Sequence, residues 1–219
     1  MKFFKIITFL LFLNCATTSN LTIYSPQGEE GKFIHFKATH GSVTKDSPPS
    51  AIELKSLNED SINVFVWAKT LDEKLKWFGF IFPIIPNIFF KERDLYKEDP
   101  NNLQIYMMIN LTDTLNIIKD SIFIKIDSSK ISPSQIAKDS YILNTQNPVF
   151  NQVSKSDLEL LRDGRLYFSN PFVIYYPIDV HKVDTFNLYI DGLYFKEQKV
   201  KFANIEFNKS KQTFRAIGP

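Results

Sequence analysis

Apolar and polar residues alternate with a period of two along much of the chain, which is the pattern of strands buried on one face. Such runs predict strands at 33–39, 51–57, 62–69, 121–127 and 200–207. Leu103, Ile105, Met107, Ile109 and Leu111 alternate in the same way, and Phe186, Leu188 and Ile190 do so ahead of the turn signal Asp191-Gly192. Phe172–Tyr176 is bracketed by Pro171 and Pro177 and is expected at a sheet edge, because proline cannot donate to a ladder. Only 156–164 carries helix punctuation, with Ser156 as N-cap, Leu158, Leu160 and Leu161 within, and Gly164 as the stop. A further short turn is expected at 133–138. Many short strands without strand-helix-strand alternation predict a mainly β protein: one antiparallel, immunoglobulin-like β-sandwich over 32–219 with one short helix.

Two regions break the alternation. Residues 16–31 hold Thr17, Thr18, Ser19, Asn20, Pro26, Gly28 and Gly31 among few apolar ones, and are expected to be a flexible tether. In 77–90, ten of fourteen positions are large and apolar: Trp77, Phe78, Phe80, Ile81, Phe82, Ile84, Ile85, Ile88, Phe89 and Phe90. Pro83 and Pro86 disfavour both a continuous helix and a central strand there, so an irregular segment is expected. Left bare it would exceed the roughly 400 Å² apolar patch that a soluble surface tolerates, so it needs a cover. The domain's own core is the expected cover. A lipid surface or apolar ligand is the alternative, supported by Lys74, Lys76, Lys91 and Arg93 on the flanks.

The first fourteen residues have the layout of a secretory signal peptide: Lys2 and Lys5, then an apolar run from Ile6 to Leu13 broken only by Thr8. That run is far short of the roughly 20 residues a spanning helix needs. Phe12-Leu13-Asn14-Cys15 resembles the lipobox of bacterial lipoproteins, with Asn14 in a place where spirochaete lipoboxes accept it. The resemblance is confined to this segment. It implies cleavage before Cys15, a diacylglycerol on the Cys15 thiol, and residence in the cell envelope as a membrane-anchored protein. Ala16 rather than aspartate follows the cysteine, which by the enterobacterial sorting rule permits delivery to the outer membrane, the expected location. Cys15 is also the only cysteine, so the exported domain is expected to rely on its core, without a disulfide.

Removal of Lys2 and Lys5 with the signal balances the basic and acidic side chains of the mature chain. Such a chain lacks the positive field of a nucleic-acid binder, and no nucleic-acid partner is expected. At 44% hydrophobic and 15% aromatic residues, it has the means to build a core.

Motifs for chemistry are sparse. Gly-x-Ser-x-Gly does not occur; Ser42 and Lys45 fit Ser-x-x-Lys but sit beside Gly41, Pro48 and Pro49 with no companion motif. His35, His40 and His181 lack the spacing of metal ligands, and no metal or other cofactor is expected. Asp94, Glu98, Asp99, Asn101 and Asn102 are rich in oxygen, but Leu103 stands where a calcium loop needs another ligand. Near the C-terminus, Lys196, Lys199, Lys201, Lys209, Lys211 and Arg215 alternate with Phe195, Phe202, Phe207 and Phe214. Lysines on a strand of that kind are expected to guard against edge-to-edge pairing. The sequence therefore points to a non-catalytic envelope lipoprotein, a binding or structural module. The alternative is a protein that handles lipid or an apolar ligand through 77–90.

Overall fold

The computed structural model describes residues 16–28, 31–35, 50–81, 85–110, 115–138, 141–142, 149–150, 158–160, 166–168 and 171–217. They begin with β1 (Ala16–Gln27), β2 (Gly31–His35), β3 (Ser50–Lys55) and β4 (Asn63–Ala68), followed by the paired strands β5 (Asp72–Ile81) and β6 (Ile85–Asp94). Next come β7 (Leu103–Asn110), β8 (Leu115–Ile117), a 3₁₀ turn at Lys119–Ser121, β9 (Ile122–Ile126) and β10 (Ser129–Ile131). β11 (Gln135–Lys138), β12 (Tyr141–Ile142), β13 (Val149–Phe150), β14 (Leu158–Leu160) and β15 (Leu166–Phe168) are short. The last five are β16 (Phe172–Tyr176), β17 (Thr185–Ile190), β18 (Leu193–Phe195), β19 (Gln198–Val200) and β20 (Ile205–Ile217).

Two seven-stranded antiparallel sheets form a β-sandwich-like fold. One has the order β10-β9-β17-β20-β1-β5-β6 and the other β12-β11-β16-β7-β4-β3-β2. A four-stranded sheet, β13-β8-β18-β19, and the pair β14-β15 accompany them. The alternation read from the sequence supplies the core. Ile122, Ile124, Phe186, Leu188, Ile190, Ile205 and Phe207 from the first sheet join Val64, Val66, Ile105, Met107, Ile109, Phe172 and Ile174 from the second in one buried cluster. Ile117, Leu193 and Val200 of the small sheet belong to that same cluster. Between those positions on the second sheet, Phe65, Trp67, Tyr106, Met108 and Val173 form another buried cluster. The second sheet is thus buried on both faces, which is why β4 reads as an almost unbroken apolar run.

Several expectations change. The span 16–31, expected as a tether, is mostly β1, paired along its whole length with β20 and over Ala16 to Thr22 with β5. Its threonines favour strand, and Leu21, Ile23 and Tyr24 are buried. Phe172–Tyr176 is an interior strand between β11 and β7. Pro171 and Pro177 lie just outside it and remove no donor from its ladder. Leu158–Leu160, expected within a helix, is a strand paired with β15; its leucines two apart share one face of a strand, whereas on a helix they would point to different sides. The turn expected at 133–138 is largely β11, and of the strand expected at 200–207 only Val200, which ends β19, and 205–207, which open β20, are strand.

Polar groups pin the core from within. The Tyr24 hydroxyl donates to the carbonyls of Val180 and Val183, at 2.9 and 2.7 Å. Burial, reinforced by Asp184 and Asp179, lifts its pKa well above the usual phenol range, so it remains a donor. Its ring meets Phe186 edge-on at 5.0 Å, and Phe186 stacks on Phe207 at 4.9 Å. Tyr176 donates to the Ile122 carbonyl at 3.0 Å, linking the two large sheets. Gly192 is required sterically, since a Cβ there would collide with the Ile118 carbonyl.

Two consequences can be measured. Phe207→Ala removes a fully buried ring and should lower unfolding free energy by about 3–5 kcal/mol in denaturant titration. Tyr24→Phe, which keeps the ring and loses the hydroxyl, should cost about 1 kcal/mol. At the two-residue connection between β18 and β19, Lys196 and Glu197 both have positive φ, of 47° and 66°, as a type I′ turn requires. Replacing them with Asn and Gly should raise stability by about 1 kcal/mol, read as a higher midpoint at unchanged m-value.

Candidate functional site

The apolar segment 77–90 is not irregular over its described parts. It forms the far half of an antiparallel ladder, with Trp77 opposite Phe89, Phe78 opposite Ile88, Phe80 opposite Pro86, and Ile81 opposite Ile85. Phe82 and Ile84 lie outside the described residues. The ladder tolerates Pro86 because β6 is the edge strand of its sheet among the described residues, and half of an edge strand's donors face away from its neighbour. The sequence conceals this hairpin because alternation vanishes where successive residues are all apolar.

Register places the hairpin against the start of β1. Arg215, Thr18, Lys76 and Phe90 lie abreast across four strands. Ala216, Thr17, Trp77 and Phe89 form the next row, and Ile217, Ala16, Phe78 and Ile88 the one after it. Beyond Ala16 the hairpin alone is paired among the described residues, through Gly79 to Ile81 on β5 and Ile85 to Asn87 on β6. Cys15 lies outside the described residues, but its covalent neighbour Ala16 fixes where the chain enters the sheet. From the Lys76 and Phe90 row backward the hairpin changes character. Phe90 is 67% exposed with the Lys76 ammonium 5.4 Å from its ring centroid, and Lys74 pairs with Glu92 at 3.3 Å.

Other candidate residues are scattered or already engaged. His35 ends β2, and His181 lies in the turn before β17 with Nε2 3.7 Å from an Asp94 carboxylate oxygen. His40, Ser42 and Lys45 lie outside the described residues. Among the described residues, no three of His, Cys, Asp and Glu converge on a metal site. Asp94 accepts from the Tyr96 amide at 2.9 Å, and Asp99 accepts from the Asn102 side chain at 2.9 Å. Tyr96 is buried, its hydroxyl accepting from the Gln104 amide at 3.0 Å, and burial lifts its pKa. Lys69 stands 4.4 Å from the same ring, and burial lowers its pKa while Asp99 and Asp94 oppose the shift.

Within the C-terminal basic stretch, Lys199 lies on β19, an edge strand of the four-stranded sheet among the described residues, whereas Lys209, Lys211 and Arg215 lie on β20 and have a different role from the one expected. β20 is interior, between β17 and β1, so its lysines do not guard an edge. Lys209 reaches the His181 carbonyl at 3.2 Å and the Asp184 carboxylate at 3.4 Å, tying down the loop before β17. Sequence reasoning missed one surface altogether. Phe123 and Tyr189 stack at 4.9 Å, with Lys130 4.1 Å from the first ring and Lys125 5.0 Å from the second. Its only trace in the sequence is an aromatic residue at the out-of-phase position of two alternating strands.

A scan against family models, a search of curated proteins and a search of solved structures each found no match. Fold and site therefore define a class alone: an antiparallel β-sandwich-like protein with an apolar hairpin at one sheet edge. Among the described residues, no helix is long and apolar enough to cross a membrane.

Exposure of Phe90 sets a test of the hairpin. Phe90→Ser should change unfolding free energy by no more than about 1 kcal/mol, because it loses a cation–π contact and no core packing. A drop of the size caused by Phe207→Ala would show that the ring is covered.

Proposed function

We propose that the chain is an envelope lipoprotein, anchored at the outer membrane through lipid on Cys15, whose β-sandwich serves as a non-catalytic binding or structural module. The observation that supports this reading most directly is the position of β1. Its first described residue, Ala16, is already paired, and it runs as an interior strand between β20 and β5. A lipid on Cys15 thus attaches to the scaffold itself, with no linker between anchor and domain. The interior between the large sheets is occupied by apolar side chains from both, so recognition falls to the outer faces, edges and loops. A cysteine at the head of an interior strand, behind an export signal and a lipobox, is best explained by covalent anchoring. More than one acyl chain gives stable attachment where a single chain does not.

Cys15→Ala tests the reading. Wild-type protein should fractionate with membranes and enter the detergent phase on phase separation, whereas the variant should lose both properties. Mass spectrometry of the mature N-terminus should find acyl chains on Cys15. An unmodified Cys15, or processing after it, overturns the proposal. Affinity capture of the native protein from envelopes then addresses its protein or lipid partner.

A further inference from the structure

We infer that the β5–β6 hairpin is a second, non-covalent membrane contact, set by strand register to enter the same anionic bilayer surface as the lipid on Cys15. The inference rests on the lipoprotein reading and adds to it an orientation and a lipid class.

Position comes first. Ala16, next to the anchor, stands abreast of Phe78 and Ile88, and the hairpin arms continue past it through three further pairs. At roughly 3.3 Å per strand residue those pairs extend about 10 Å beyond the sheet, close to the 5–10 Å to which interfacial elements enter a bilayer. They fall well short of the roughly 9–11 residues that a spanning strand requires. An anchored sheet therefore brings the hairpin to the headgroup and upper acyl region without crossing.

Composition agrees with that depth. The rows level with Ala16 and beyond are dominated by phenylalanine and isoleucine, and Trp77 stands one row back, suited to the interface where its amphipathic ring is favoured. Behind it, Lys74, Lys76, Lys91, Arg93 and Arg215 occupy the next four rows, against Glu73 and Glu92. A basic belt behind an aromatic row fits anionic headgroups around inserted apolar residues. Phe90, exposed and flanked by Lys76, marks the transition on the described surface.

The test uses the full mature lipoprotein in vesicles of phosphatidylcholine and phosphatidylglycerol carrying brominated acyl chains. Trp67 is enclosed in the fold at 1% exposure, so the difference between wild type and Trp77→Phe isolates the Trp77 emission. Bromine in the upper acyl chain should quench that emission, and Trp77→Phe should abolish the quenching while keeping a strand-type circular dichroism spectrum. Lys76→Gln and Lys91→Gln, at exposed positions, should each shift the docked population about fivefold toward release on these vesicles and leave it unchanged on phosphatidylcholine alone. Protein that floats with the vesicles while Trp77 escapes quenching overturns the hairpin contact and leaves lipid anchoring intact. Absence of quenching together with cross-linked pairs of chains through Lys91 assigns the edge to self-association instead. Failure to float at all removes the lipoprotein reading, and this inference with it.

Discussion

Pairing of β1 with its two neighbours holds the first of the two seven-stranded sheets together. Twelve residue pairs join it to β20 on one side, and seven join it to β5 on the other. Among the described residues of that sheet the β5–β6 hairpin reaches the remaining strands only through β1. The Tyr24 hydroxyl extends the attachment, since its two carbonyl partners lie in the loop that Lys209 also ties down. The segment that looks most like a spacer is therefore the one on which the site is mounted.

What the sequence makes legible follows from what each strand faces. β3, β4, β7, β9, β16 and β17 were all anticipated near their observed positions, because each places residues of one parity in the shared core. The mainly β, antiparallel character follows from the same pattern. β1 escapes because Pro26, Gly28 and Gly31 outweigh the shorter apolar signal of Leu21, Ile23 and Tyr24. The hairpin escapes for the opposite reason: a run that is apolar at nearly every position has no parity to read. Leu158–Leu160 shows a third kind of ambiguity, in which capping residues outside a short segment suggested a helix while its own spacing suits a strand. Register, which puts Ala16 beside Phe78, cannot be read from composition, because it depends on long-range pairing.

Burial on both faces of the second sheet distributes the aromatic content unevenly. Trp67 and Tyr106 stack at 5.5 Å within the smaller cluster, while Phe172, Phe186 and Phe207 belong to the larger. Stability in a chain with one cysteine thus comes from apolar area in two compartments separated by a single sheet. The Phe123–Tyr189 pair lies apart from both, on strands distant from the hairpin in the sheet order.

The attachment of β1 also determines how the fold meets mechanical load. A pull at Ala16 along the strand axis acts parallel to the ladders with β20 and β5, so it shears many backbone hydrogen bonds at once instead of peeling them in succession. Strain would spread over the twelve pairs with β20 before any one of them parted. A domain hung by an interior strand transmits tension into its sheet, whereas one hung by a loose leader would first take up slack.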